Sequence, residues 1–200
     1  MPVAAKPGAR TKPPETRRND IMNAALRLFV EQGVAATTVD HITAAAEVAK
    51  GTFYLYFTSK DELLAALGAR FGQELLESIH KATRRIEGDW QGRLAAWAKA
   101  YAAGYLASVR VHDAVFSGTW PRPRDGQLDN CVVDDLEQLL DEGKRALAWS
   151  IEDTRMTAVF LFGGIHSIVD DVSRRQSRTT RASLARTVET LALRSVGSPN

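Results

Sequence analysis

The chain has 200 residues, of which 44% are hydrophobic and 25% charged, and a formal charge of +2 at neutral pH. A chain of this size buries about 70% of its unfolded surface on folding, so the composition excludes disorder throughout, collagen-like repeats and low-complexity solenoids. The longest run without a charged side chain, residues 156–169, has 14 residues, short of the roughly 20 that span a bilayer, and a soluble protein without membrane contact is expected.

The small net charge is unevenly distributed. Residues 1–14 carry a net +3, residues 15–62 a net −2, residues 63–171 a net −4 and residues 172–200 a net +5. The first segment also holds Pro2, Pro7, Pro13 and Pro14, and reads as a flexible basic arm, either a solvated tail or a weak attractor of a polyanion. Lys6, Arg10 and Lys12 have no apolar run between them, so a secretory leader is not expected. The single cysteine, Cys131, cannot close an internal disulfide, and a reducing cytoplasm is the expected compartment.

From residue 16 to residue 32, Ile21, Ala24, Ala25, Leu28 and Phe29 repeat at helical spacing, and Gly33 ends the period. Thr37 and Thr38 precede a second, short period of Val39, Ile42, Ala45 and Ala46, where a threonine hydroxyl can cap the first turn. A third short element covers Ala49 to Phe57. Ser59 with Glu62 forms a capping box and opens a longer helix through Leu63, Leu64 and Leu67. Two short helices joined by a tight turn and packed on a longer one form a helix-turn-helix head.

Beyond residue 62 strand alternation is absent and the whole chain reads as all-α. Trp90, Leu94, Trp97, Ala98, Tyr101, Tyr105, Leu106 and Val109 share one helical face, and Leu128, Val132, Leu136, Leu139, Leu140 and Leu147 another. Pro121 and Pro123 break the chain between them. Residues 156–169 are apolar nearly all round and should be covered on more than one side. Leu184, Val188 and Leu191 give a last amphipathic helix.

The third element has the makeup of a helix that enters a major groove. Gly51 lets backbone approach a phosphate, Thr52 offers a hydroxyl and a methyl, and Lys50 supplies charge. Phe53 and Phe57 would face inward, leaving Tyr54 and Tyr56 to present hydroxyls to phosphates. Lys60, in the first turn of the next helix, would add charge where free N–H groups already favour an anion.

The run from Thr37 through Ile42, then Ala45-Ala46, then Val48 through Phe57 and Ser59 through Leu63, resembles the DNA-binding head of TetR-type transcriptional repressors over roughly residues 15–75. The resemblance implies a three-helix head (residues 15–75, motif about 38–57) behind the arm of residues 1–14, and a larger helical domain, residues 76–200, for ligand binding and dimerisation. It implies a homodimer whose heads read a pseudo-palindromic double-stranded operator and which a small, mostly apolar effector releases. Carried over by position, Thr38 anchors the second helix at the DNA backbone, Lys50, Gly51, Thr52, Tyr54 and Tyr56 lie in or beside the groove, and Lys60 sits on a flanking phosphate. Val39, Val48 and Ala49 depart from the hydroxyl residues of some relatives and offer only apolar contacts.

In the C-terminal part, Trp97, Tyr101 and Tyr105 form an aromatic stripe, with Phe116, Trp120, Trp149 and Phe160 as further candidates for one cavity; plain core packing is the alternative for each. Gly163 and Gly164 permit close helix approach, and with Ile168, Leu184, Val188 and Leu191 they suggest a dimer seam in the last two helices, favoured over internal packing. An all-α enzyme or a protein-interaction bundle is the rival class. The chain lacks the G-x-S-x-G and H-E-x-x-H patterns and a phosphate-cradling glycine loop, and His41, His80, His112 and His166 are scattered without ligand spacing. No catalytic group, metal or cofactor is therefore expected.

Overall fold

The structure, a computed structural model, describes residues 13–116, 131–175 and 179–197. Among the described residues there are eight helices and no strand: α1 (Pro14–Gln32), α2 (Val39–Ala45), α3 (Lys50–Tyr54), α4 (Lys60–Thr83), α5 (Trp90–Phe116), α6 (Cys131–Arg145), α7 (Thr154–Arg174) and α8 (Arg181–Val196). The chain divides into two compact units, Met1–Leu67 and Gly68–Asn200, and α4 runs through the division.

In the first unit, α1 starts two residues earlier than its apolar period, because Pro14 occupies the first helical position, where its fixed φ fits and its missing N–H is not needed. Pro14 thus belongs to the helix rather than to the arm; the rest of the arm, apart from Pro13, lies outside the described residues. Ile21, Met22, Ala24, Ala25 and Phe29 are buried, whereas Leu28 is only partly so. Helix α1 packs on α2 and α2 on α3. The inward residues of α2 are Ile42 and Thr43, while Ala45 is exposed. Phe53 and Phe57 are both buried, with ring centroids 5.8 Å apart, and the Arg18 guanidinium lies over the Phe57 ring at 5.1 Å.

In the second unit, α5 packs against α8, α7 and α6, and α6 and α8 both pack on α7. Leu75, Leu76 and Ile79 of α4 join this core with Leu94, Trp97, Tyr101 and Tyr105 of α5. The α8 stripe runs Leu184, Val188, Ala192 and Val196, one step per turn, so Leu191 falls beside it and is exposed. Helix α7 buries Ala158, Leu161, Ile165 and Val169, but Met156, Val159 and Phe160 face outward, so among the described residues one side of this apolar helix is covered. Leu147, expected on the inner face of α6, follows the helix end at φ +58° with its side chain exposed, and Leu128 lies outside the described residues.

Candidate functional site

The turn before α2 is built by its threonines. Thr37 is buried and donates its hydroxyl to the Gly33 carbonyl at 2.8 Å while accepting from Gln32 Nε2 at 3.2 Å. Thr38 is the N-cap: its Oγ1 accepts the His41 N–H at 3.2 Å, and His41 Nδ1 accepts the Thr38 N–H at 3.4 Å. That reciprocal pair satisfies two of the orphan donors of a helix start and fixes the entry angle of α2.

Helix α3 has five residues and no side-chain cap, so its position depends on Phe53, anchored beneath it. With Phe53 inside, Lys50, Gly51 and Tyr54 are exposed, Thr52 and Tyr56 half-buried, and Leu55, directly after the helix, is 80% exposed. A Cβ added at Gly51 would meet nothing within 4 Å. Internal packing therefore does not require the glycine, and a helical glycine destabilises by roughly 0.5–1 kcal/mol relative to alanine. Lys50 Nζ lies 2.8 Å from Asp40 Oδ1 and donates to Asp40 Oδ2 at 3.1 Å, and this hydrogen bond, followed by the Asp40 charge, raises the lysine's pKa. Asp40 and Leu55 share this surface and were not singled out from the sequence; Asp40 could have been, as an acid in the first turn of the helix before a lysine-led one.

The capping of α4 differs from the sequence expectation. Ser59 Oγ does accept the Glu62 N–H at 3.1 Å, but the Glu62 carboxylate accepts from Thr58, at 2.6 Å from its N–H and 2.7 Å from its hydroxyl, instead of closing a box on Ser59. Those two bonds lower the Glu62 pKa. Lys60 Nζ donates to the carbonyls of Val34 at 2.7 Å and Thr37 at 2.9 Å, so its ammonium staples the first turn of α4 to the α1–α2 connection.

Within the second unit, a cavity of about 240 Å³ is lined by Val109, His112, Asp113, Phe116, Asp170, Ser173 and Arg174. Of the aromatic candidates among the described residues, Phe116 alone lines it. Tyr101 and Tyr105 stand behind it in a polar network. Tyr105 donates its hydroxyl to Asp170, its oxygen lies 3.2 Å from both His166 Nε2 and His112 Nδ1, and Tyr101 Oη lies 3.1 Å from His166 Nδ1. A hydroxyl has one proton, and Tyr105 gives its own to the carboxylate, so His166 carries hydrogen on Nε2 and accepts from Tyr101 on Nδ1. Burial pushes both histidine pKa values down and both tyrosine values far up.

The other candidates are elsewhere. Trp97 is core, its Nε1 donating to Asp135 at 2.8 Å. Trp149 is buried over Gly143, where an added Cβ would lie 2.0 Å from the indole, and donates to the Leu140 carbonyl at 2.9 Å. Phe160 is 67% exposed and points away from the core, and Trp120 lies outside the described residues. Leu184 and Val188, expected on a dimer seam, are fully used by the chain's own core; Gly163 and Ile168 are partly exposed, and Gly164 and Leu191 exposed. Taken one at a time, the histidines and Asp170 carry no signal in the sequence. Tyr101, Tyr105 and His112 at spacings of four and seven, and His166 with Asp170 at four, put polar groups on two facing helical stripes.

No helix among the described residues is long and apolar enough to cross a membrane, and no group of three or more metal-ligating side chains is found among them.

Residues 21–67 match the family model described as bacterial regulatory proteins, tetR family. The chain is 40% identical over 90 residues to the uncharacterized HTH-type transcriptional regulator TtgW of Pseudomonas putida, covering 44% of this chain and 63% of that protein. It is 28% identical over 133 residues to the nicotine-responsive transcriptional repressor HdnoR of Paenarthrobacter nicotinovorans, 61% of this chain and 64% of that one. The fold is similar to that of the fatty acid degradation regulator FadR from Bacillus halodurans, with a TM-score of 0.68 at 25% identity over 92% of this chain and 97% of that chain. The chain spans less than two thirds of the length of the curated relatives it matches.

Proposed function

The chain belongs to the TetR family of bacterial transcriptional regulators, with a DNA-binding helix-turn-helix, and from that premise we propose that it is a cytoplasmic, non-enzymatic repressor that a small molecule releases from a palindromic operator. The observation that carries the reading is the outer face of α3. Lys50, Gly51, Thr52 and Tyr54 are presented on a short helix anchored from below by Phe53, and packing among the described residues does not require the glycine. A major groove admits a helix, and a residue without a side chain lets the backbone come close to it.

The homodimer reading is supported by an open apolar surface on α7 and α8. Met156 is 66% exposed, and Val159, Phe160 and Leu191 stand out with it beside Gly163 and Gly164. A second copy would cover these side chains, and two heads would then enter major grooves about 34–36 Å apart. In this reading the seam consists of the outward residues of α7 with Leu191, not of Leu184 and Val188.

The effector reading is supported by the cavity and by α4. Phe71 of α4 contacts the rings of His112 and Phe116 at 5.9 and 6.0 Å, while Lys60 ties the same helix to the turn before α2. A ligand that prefers one position of Phe71 would bias the head through a continuous helix, with a coupling of about 1–3 kcal/mol. The lining is mixed, polar as well as apolar, so the effector would carry a polar group. The relative HdnoR is nicotine-responsive by its name, which agrees with an effector-controlled role.

Selecting bound fragments from randomised DNA with the full chain tests the proposal. An inverted repeat bound by a dimer is expected. Fragments without a shared sequence, or a monomer on a single half-site, would reject it.

A further inference from the structure

Leu55 follows Tyr54 directly, and its φ of −73° and ψ of −22° keep it on the helical path of α3. Its N–H bonds the Thr52 carbonyl at 3.3 Å, and the next turn closes from the Phe57 N–H to the Phe53 carbonyl at 3.0 Å. The helical phase therefore continues from Lys50 to Phe57, which puts the buried rings of Phe53 and Phe57 on one side.

Gly51 and Leu55 stand two residues either side of Phe53. At about 100° per residue, both positions face within roughly 20° of the direction opposite the buried ring. Lys50 and Tyr54 lie to one side of that line and Thr52 to the other, and Lys50 is turned to Asp40 of α2. The outermost line of the helix is thus a residue without a side chain and, one turn on, an isobutyl group that is 80% exposed. A single exposed leucine is ordinary on a protein surface; its place on this line is what gives it a partner.

A helix in a major groove meets base edges along its outermost line. Those edges carry hydrogen-bond donors and acceptors and one apolar group, the C5-methyl of thymine. Against a donor or acceptor, an isobutyl group displaces water and returns no hydrogen bond, which costs free energy. Against a methyl, both partners lose apolar surface to water, which is favourable. Ala49 is exposed and apolar too, but its single methyl sits at the N-cap and reaches less far than an isobutyl group.

We propose that Leu55 is a specificity-determining residue that selects thymine, through its C5-methyl, at one position of each half-site. The assignment rests on the reading of α3 as the helix that enters the groove.

The operator selected from randomised DNA by the full chain should therefore hold a thymine at a fixed place in each half-site. Replacing the thymines of one half-site singly by deoxyuridine removes the methyl and leaves the hydrogen-bonding edge intact. At one position the replacement should weaken binding roughly fourfold, the factor for one methyl group returned to water, as read by fluorescence anisotropy. Leu55→Ala should weaken binding to the thymine duplex and abolish its preference over the deoxyuridine duplex, whereas Leu55→Met should keep the preference. At so exposed a position both variants should fold with an unchanged melting temperature. No deoxyuridine effect at any position, an effect that persists in Leu55→Ala, or a Leu55→Ala loss equal on both duplexes, as packing on the sugar-phosphate backbone would give, would each overturn the proposal. A selected pool without a shared sequence would reject the groove reading itself, and the assignment of Leu55 with it.

Discussion

Asp40 of α2 holds Lys50 of α3 in an exposed ion pair, 2.8 Å from carboxylate to ammonium, on the surface read as the DNA interface. The first cation of the reading helix is thus neutralised by the chain itself. Together with the net −2 of residues 15–62, this weakens attraction to DNA of any sequence, since nonspecific affinity scales with the phosphates neutralised. Specificity then depends on a few placed side chains.

Asp40→Asn frees Lys50 for a phosphate. Affinity for a scrambled duplex should rise, and the slope of log K against log salt should steepen by about 0.9, the value for one further neutralised phosphate. An unchanged slope in a salt series followed by fluorescence anisotropy would mean that Lys50 reaches no phosphate.

Gly51→Ala should separate stability from function. Alanine stabilises a helix interior by roughly 0.5–1 kcal/mol over glycine, and open space surrounds the added methyl, so the melting temperature should rise. Operator affinity should fall, because the methyl stands between backbone and DNA. A variant that melts higher and binds unchanged would show that no close approach occurs there.

Lys60 joins two carbonyls to α4, and Lys60→Met leaves both without that partner. The Val34 carbonyl keeps the Thr37 N–H at 3.3 Å, whereas the Thr37 carbonyl loses its Lys60 donor; a partly buried acceptor so left costs about 1–3 kcal/mol, which urea unfolding would register as a lower midpoint. If Lys60 serves a phosphate instead, the midpoint stays and the salt slope falls by about 0.9.

Folding stability should decline as the solution is acidified below about pH 6.5. His112 and His166 have pKa values lowered by burial, His166 also by His112, with Asp113 and Asp170 acting in the opposite direction. The unfolded chain therefore takes up protons first, and stability present above the unfolded pKa of 6.5 is lost as pH falls toward the folded values. The loss is at most about 1.4 kcal/mol per pH unit for each histidine. His166→Gln should flatten the pH dependence of the urea midpoint; an unchanged profile would place the acid sensitivity elsewhere.

The helices were legible because burial of one face imposes a 3.6-residue period. Ile21, Ala24, Ala25 and Phe29 show this directly, and Thr38 announced its cap by residue type and position. What was hidden depends on distant partners. Lys60 meets Val34 across 26 residues and Tyr105 meets Asp170 across 65, separations no local period reports. Phe160 and Trp149 are alike in sequence as aromatic pocket candidates, yet one faces outward and the other fills the space above Gly143. On α7, apolar all round, period alone cannot tell the covered side from the open one.

The most direct measurement is the ratio of affinities for the selected operator and a scrambled duplex, for the full chain and for Thr52→Ala and Tyr54→Ala. A ratio of at least ~1,000 is expected for the unaltered chain, the lower end for specific DNA-binding proteins, falling in both variants while melting temperature holds. A ratio near one, or one that neither substitution lowers, would contradict the account that the outer face of α3 reads DNA.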